Sequence, residues 1–301
     1  MNTETDSLTI QHKAFFTIAR DWKEYLQSII PTDSLIEELH KRHVDIFSFL
    51  ERKWCCPITK PSNTWAKTED NIAILHLTDY EKWLKDIGKK TRNIIRKAQK
   101  TGITTSISTK DDKLAEGISK IFNETPIRQG RGFPNYGMPL EAIKTNMLYF
   151  PNSTYIGAYF ENELVGYIRL IHGDQLTMIS DILSMQKHWD KSINNALLAK
   201  AIEFCAINHI KWIMYGRMGN HPTLDIFKEN NGFKKLVLTR YFIPLSRKGR
   251  LAVKLKLEQE LKDMLPPSIK NQLLPLYDWV SRTRAKARAT RRFKKTQDIQ
   301  T

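Results

Sequence analysis

Three cysteines in 301 residues, two of them adjacent at Cys55 and Cys56 and the third at Cys205, exclude a disulfide framework. No paired Cys or His stands at metal spacing from them, so no metal is expected and none of the three is assigned chemistry. Nowhere do 18 apolar residues run together, which excludes a membrane-spanning helix. The first ten residues are polar and acidic, whereas a secretory leader opens on basic and then apolar residues. The compartment expected from these absences is the cytoplasm, with thiols reduced. No G-x-G-x-x-G follows a strand and no G-x-x-x-x-G-K-[ST] occurs, so neither nucleotide-binding fingerprint is present.

Hydrophobic residues make up 41% and aromatics 10%, enough for a sizeable core in one large domain or two small ones. Lysine and arginine outnumber aspartate and glutamate by 48 to 32, a net charge of +16. The segment from Ser246 to Thr301 holds 15 basic and 5 acidic residues, so +10 of that excess sits in the last fifth of the chain. A fold does not need such an excess. It points to an anionic partner: nucleic acid, a phosphorylated cofactor or an anionic membrane surface.

Periodicity orders the chain. Residues 1–53 read as helical, from Ala14, Phe15, Ile18, Ala19, Trp22, Tyr25 and Leu26 and then Leu35 to Leu50 at helical spacing. Ile72–Leu77 reads as a buried strand. Asp79 to Lys100 reads as one long helix, apolar on one face and basic on the other, with Gly102 at its C-cap. A strand at 103–108 and a helix at 111–122 follow. The loop NETPIRQGRGFPNYG (123–137) crowds glycine, proline, arginine and aromatics, and a helix at 140–148 succeeds it. Strands at 154–160, 164–172 and 176–185 are joined by hairpin-length turns. Ser192–Asn208 is a strong helix, then come a strand at 212–215, a helix at 223–230 stopped by Asn231-Gly232, and a strand at 236–245. The sum is an α/β (α+β) sheet with an antiparallel meander in its middle. The expected division is an N-terminal helical segment (1–65), a main domain (66–246) and a basic C-terminal helical tail (247–301).

In this order the hairpin pair YIGAYFENELVGYIRLIHG (155–173), one long amphipathic helix and LDIFKENNGFKK (224–235) resemble the core of the GNAT acyltransferase superfamily. KKTRNIIRKAQKTGI (89–103) and SINNALLAKAIEFC (192–205) resemble its Fem-type branch, the peptidyl-bridge aminoacyltransferases and their relatives. The resemblance covers about residues 66–246. It implies a mixed, mostly antiparallel central sheet flanked by helices, and transfer of an acyl or aminoacyl group to an amine on a sugar, a lipid-linked saccharide or a peptide. The donor it implies is acyl-CoA or acetyl-CoA as co-substrate, or aminoacyl-tRNA as in the Fem branch. One departure stands out. The turn after the fourth strand of that core, Gln186–Lys191, lacks the glycines that usually admit a pyrophosphate.

Several residues are candidates for chemistry. Lys187, His188, Lys191, Ser192, Asn194 and Asn195 surround the start of the long helix, where anions are favoured; the plain alternative is a polar loop with an asparagine cap. Asp181 lies inside an apolar strand, and the resemblance makes it the acid that accepts the amine proton, directly or through water; alternation equally lets it face solvent. Arg128, Gln129, Arg131 and Tyr136, on the odd loop, suit recognition of a carboxylate or phosphate, or else tether that loop. Arg169 is a second strand-borne charge that could face the same cleft. Tyr215, Arg217 and His221 follow the next strand, and Tyr215 or His221 could protonate the leaving group, unless Tyr215 is ordinary core. Backbone N–H groups before Gln186 would polarise the donor carbonyl. Arginine and lysine between 282 and 295 read as an electrostatic arm for tRNA or an anionic membrane surface. The rival reading of the whole chain is a non-catalytic protein of this fold that binds nucleic acid or membrane through that tail.

Overall fold

The computed structural model describes residues 8–258 except 14, 27–29, 52–63, 129–130, 174–175 and 220. The expected helical N-terminus is corrected: it holds strands β1 (Leu8–His12), β2 (Thr17–Asp21) and β3 (Ile46–Glu51), with one short 3-10 turn at Trp22–Tyr25 and one helix, α1 (Asp33–Lys41). Every residue of β3 is buried. A short apolar run buried on both faces has no period to betray it, so it reads equally as helix.

The chain continues through β4 (Ala66–His76), α2 (Tyr80–Asp86) and α3 (Lys89–Lys100). The long helix expected from 79 to 100 is therefore two helices, because Ile87 and Gly88 take extended ψ of 150°. Arg92, one turn into α3, donates to the carbonyls of Leu84, Lys85 and Ile87, which satisfies the broken end of α2. Next come β5 (Thr104–Ser108), α4 (Asp112–Asn123), the two-residue strands β6 (Ile127–Arg128) and β7 (Arg131–Gly132), and α5 (Leu140–Tyr149). The meander is β8 (Ser153–Phe160), β9 (Glu163–His172) and β10 (Leu176–Ser184). A 3-10 turn at Gln186–Lys191 leads into α6 (Ile193–Ile207), and β11 (Trp212–Met214), α7 (Pro222–Asn230), β12 (Lys234–Pro244) and α8 (Arg247–Lys254) follow.

Ten strands form one sheet in the order β1-β2-β3-β12-β4-β11-β10-β9-β8-β5. Only β2–β3 and β10–β11 are parallel. β3 pairs with β12, so the sheet runs continuously across the expected border at 65/66. α8 also packs on the sheet: Ala252 is buried with Phe16, Ile18, Ile46 and Phe242. The larger core lies under α4 and α6, and α6 is apolar nearly all round because it is buried nearly all round.

The parallel pair β10–β11 positions the site. Its register holds for three residues only, Leu176 to Met178 against Trp212 to Met214. Beyond that, β11's continuation stays on β4: Tyr215 donates its N–H to Ala73, and Ala73 donates to Gly216 at φ +57. On its other side β10 carries a bulge at Ser180, between Ile179 and Asp181. A bulge bends a strand and increases its twist. The second half of β10 thus leaves β11, and the sheet splits into a wedge.

Candidate functional site

Where β10 ends, beside the starts of α6 and α7, lies a cavity of about 690 Å³. Its wall holds Ser192, Asn194, Asn195 and His221 of the expected site residues, with Ser184, Trp189, Ile94 and the first turn of α7. The Oδ1 atom of Asn194 is buried there without a hydrogen-bond partner. Ser192, the residue before α6, takes a left-handed φ of +58°, the conformation a glycine supplies at no steric cost, and makes no side-chain cap. The start of α6, with its partial positive charge, is therefore part of the wall.

The rest of the turn is spoken for. The Glu124 carboxylate, at the end of α4, accepts the backbone N–H groups of Gln186 at 2.7 Å and Lys187 at 3.0 Å. The Lys187 ammonium lies 3.4 Å from Glu163, Lys191 sits 4.5 Å over the Phe160 ring, and the His188 ring is 5.3 Å from that of Phe160. Lys187, His188 and Lys191 thus turn to the β8–β9 hairpin, away from the cavity.

Arg169 and Asp181 face each other in register on β9 and β10, and their side chains meet at 2.5 Å. Ser180 joins them, donating to Asp181 at 3.0 Å and accepting from Arg169 at 3.0 Å. Arg169 also donates to Asn146 and lies over the Phe150 ring. Asp181 is thus neither a lone buried acid nor a solvent-facing one. Burial raises the phenols of Tyr155 and Tyr167, and the Asp181 charge raises them further. Tyr215 is raised by burial, then by Asp181, which keeps it protonated.

Tyr215 packs against Phe233 and Phe227, and beneath it lies a residue the sequence reading passed over. Lys228 on α7 is 2% exposed, donates one hydrogen bond to the Arg217 carbonyl at 2.7 Å and places its ammonium 4.9 Å over the Tyr215 ring. Burial lowers its pKa below the usual lysine value. Arg217 itself is bonded at 2.5 Å to Asp70, which also takes Arg240, and Arg240 in turn clamps Glu24. Arg217 therefore secures the loop between β11 and α7.

Arg128 is likewise a tether. Its guanidinium donates to the carbonyls of Ser184 at 2.8 Å and Ile121 at 2.6 Å, and stacks on Phe133. Tyr136 closes a turn with Phe133. Gln129 and the Arg131 side chain, like the tail from 259 to 301, lie outside the described residues. Burial pushes the Cys205 thiol up to about 12, an unreactive state. Among the described residues no group of His, Cys, Asp or Glu could hold a metal, and no helix is long and apolar enough to cross a membrane.

Residues 118–233, which span the wedge, both its strands and α6, match the acetyltransferase (GNAT) family. The match stops short of β1–β5 and of β12. Three solved structures share the larger fold. FemX superposes with a TM-score of 0.55 at 11% identity, over 77% of this chain and 83% of its own. The C-terminal domain of a putative lysylphosphatidylglycerol synthetase from Agrobacterium fabrum gives 0.53 at 9%, over 82% and 83%. L-PGS from Bacillus licheniformis gives 0.51 at 13%, over 84% and 86%. No curated protein matches the chain in sequence. The family match supports acyl transfer as the general class of chemistry, and the structural neighbours show the fold.

Proposed function

We propose that the protein transfers an aminoacyl group from an RNA-borne ester, an aminoacyl-tRNA, to an amine. One observation carries the choice of donor: Glu124 occupies the amides of Gln186 and Lys187 at the turn where a coenzyme A pyrophosphate would need open N–H groups. A carboxylate there also repels a diphosphate. A second observation supports RNA. α3, whose Ile94 lines the cavity, carries six basic residues and no acid, and Lys89, Lys90, Arg96, Lys97 and Lys100 are exposed. The name of one structural neighbour, a lysylphosphatidylglycerol synthetase, describes aminoacyl transfer by that protein.

The chemistry proposed is direct attack. The acceptor amine bonds to the ester carbonyl carbon, and the bond to the ribose oxygen breaks. The amine proton passes to Asp181 or a water it holds, and the ribose oxygen takes a proton from Tyr215, which burial and the Asp181 charge keep protonated until then. Asn194, Asn195 and His221 would hold the donor's end in the cavity.

The second reading keeps acyl-CoA, the donor typical of the family, on the strength of the left-handed Ser192 and the uncapped α6. Transfer separates the two. The enzyme is incubated with an amine acceptor panel and either tRNA charged with radiolabelled amino acids or labelled acetyl-CoA. Label passing from tRNA into a base-stable amide supports the proposal. Base-stable label only from acetyl-CoA overturns it.

A further inference from the structure

A second cavity, of about 790 Å³, lies four strands away from the wedge at the other end of the sheet, where the β1–β2 turn, the end of α1 and the start of α8 meet. Six side chains that are or can become cationic surround it: His12, Lys13, His40, His43, Arg247 and Lys248. All six are exposed. The wall holds a single acid, Asp45, whose carboxylate takes the Thr17 N–H at 2.8 Å, the Thr17 hydroxyl at 3.2 Å and the Ser246 hydroxyl, and which stays charged near Lys248. Lys13, Arg247 and Lys248 still outnumber it, so the field of the hollow is net positive.

The sequence of α8 sharpens the point. Its first turn carries Arg247 and Lys248 and no acid, at the helix end whose dipole disfavours cations. Local rules are broken in this way where a function needs the residues. The hollow is also concave and edged by an aromatic: Phe15 is 41% exposed at its rim, set against the buried Phe16 with ring centroids 5.4 Å apart. Convergent cations from three elements suit a phosphate, and an exposed ring beside them suits a stacked base. A flat bilayer would reach the rim and leave the hollow unfilled.

We infer that this cavity binds the phosphate of a nucleotide, with its base against Phe15. The site is independent of the donor proposed above, since it shares no residue with the wedge.

Fluorescence titration of the full chain with N-methylanthraniloyl-AMP tests it at about physiological salt, which screens weak, long-range attraction to basic residues elsewhere in the chain. The expected result is saturable binding that weakens at least ten-fold in R247E/K248E, whose acids suit the first turn of α8 although the cation near Asp45 is lost, so binding is compared at a temperature where circular dichroism shows both proteins folded. K13E provides a second variant away from α8, with a smaller loss in the same direction. F15A should weaken AMP binding several-fold. Equal affinity for N-methylanthraniloyl-adenosine, which lacks the phosphate, would overturn the inference. So would an R247E/K248E variant that binds like the parent. Inorganic phosphate that competes as well as AMP overturns the nucleotide assignment. Vesicles of phosphatidylglycerol that lose binding in the variants while the nucleotide does not would assign the hollow to lipid instead.

Discussion

Glu124 and Gln186, 62 residues apart in sequence, are joined by a hydrogen bond of 2.7 Å from the Gln186 amide to the Glu124 carboxylate. The same carboxylate holds the next amide and lies within 3.4 Å of Arg128, itself fastened to the end of β10. One acid thus fixes the turn before α6 and, on the function proposed above, fills the place where a donor pyrophosphate would bind. Replacing it by alanine should have two effects. Stability should fall by about 1–3 kcal/mol, because two amides and a partly buried guanidinium lose their acceptor. Affinity for acetyl-CoA, measured by calorimetry, should rise from undetectable to measurable as the amides open. A variant that gains nothing would show that the cradle is closed by more than Glu124.

Asp181 is paired with Arg169 rather than isolated. D181N keeps the shape and an acceptor for Ser180 but removes the proton-accepting charge. Transfer should drop by about 10²–10⁴-fold, the range of general-base contributions. R169K, which keeps a cation beside Asp181, should lose much less in kcat. Equal losses in both variants would make the pair structural.

Lys228 is buried and its pKa is depressed by that burial. The unfolded chain therefore binds more protons than the folded one between the depressed value and the ordinary 10.5, and stability should rise with pH across that window. K228M should flatten the rise in a denaturant series from pH 7 to 10.5. It should also slow transfer more than ten-fold, since the cation over Tyr215 is gone. Full activity in K228M would remove Lys228 from the site.

Arg240 bonds to Glu24 at 2.6 Å and to Asp70 at 3.0 Å, all three nearly inaccessible. Burial raises the Glu24 pKa against the pull of Arg240, whereas for Asp70 burial is outweighed by Arg217 and Arg240, which lower it. R240M leaves two carboxylates buried beside each other, with Arg20 acting on Glu24 and Arg217 on Asp70, and should cost about 3–5 kcal/mol. Their pKa values would then rise in the folded state. Folding would take up protons, and the loss should be larger at pH 7 than at pH 4.5, which paired chemical melts will show.

The elements that carry the wedge were legible because their patterns are local. The hairpin turn at 161–163, the glycine at 173 after β9, the run of α6 and the Asn231-Gly232 stop all announce themselves within a few residues. β2 and β3 read as helix because short, mostly buried runs lack a distinguishing period, whereas β1, five residues with none buried, is too short to announce one, and Gly88 is one weak residue inside a long amphipathic pattern. Among the candidate residues, Ser192, Asn194 and Asn195 are picked out by their place beside a helix start and His221 by its place after a strand, and all four line the cavity. Arg128, Arg169 and Arg217 were recognised as charges, but their partners Ser184, Asp181 and Asp70 lie 56, 12 and 147 positions away, beyond any local pattern. Lys228 did leave a signal: it stands four residues after Leu224 and three before the buried Asn231, on the inward stripe of α7.

The donor is the central claim, and calorimetry tests it most directly. The full chain is titrated with acetyl-CoA and, separately, with a CCA-ended RNA minihelix bearing a non-hydrolysable 3′-aminoacylamido group, each at two salt concentrations. The minihelix should bind at least ten-fold more tightly than its unacylated form, weaken with salt, and weaken further in S192E, which places a negative charge at the mouth of the cavity. Acetyl-CoA should give no heat of binding. Saturable acetyl-CoA binding that S192E abolishes, with no preference between acylated and unacylated RNA, would contradict the account.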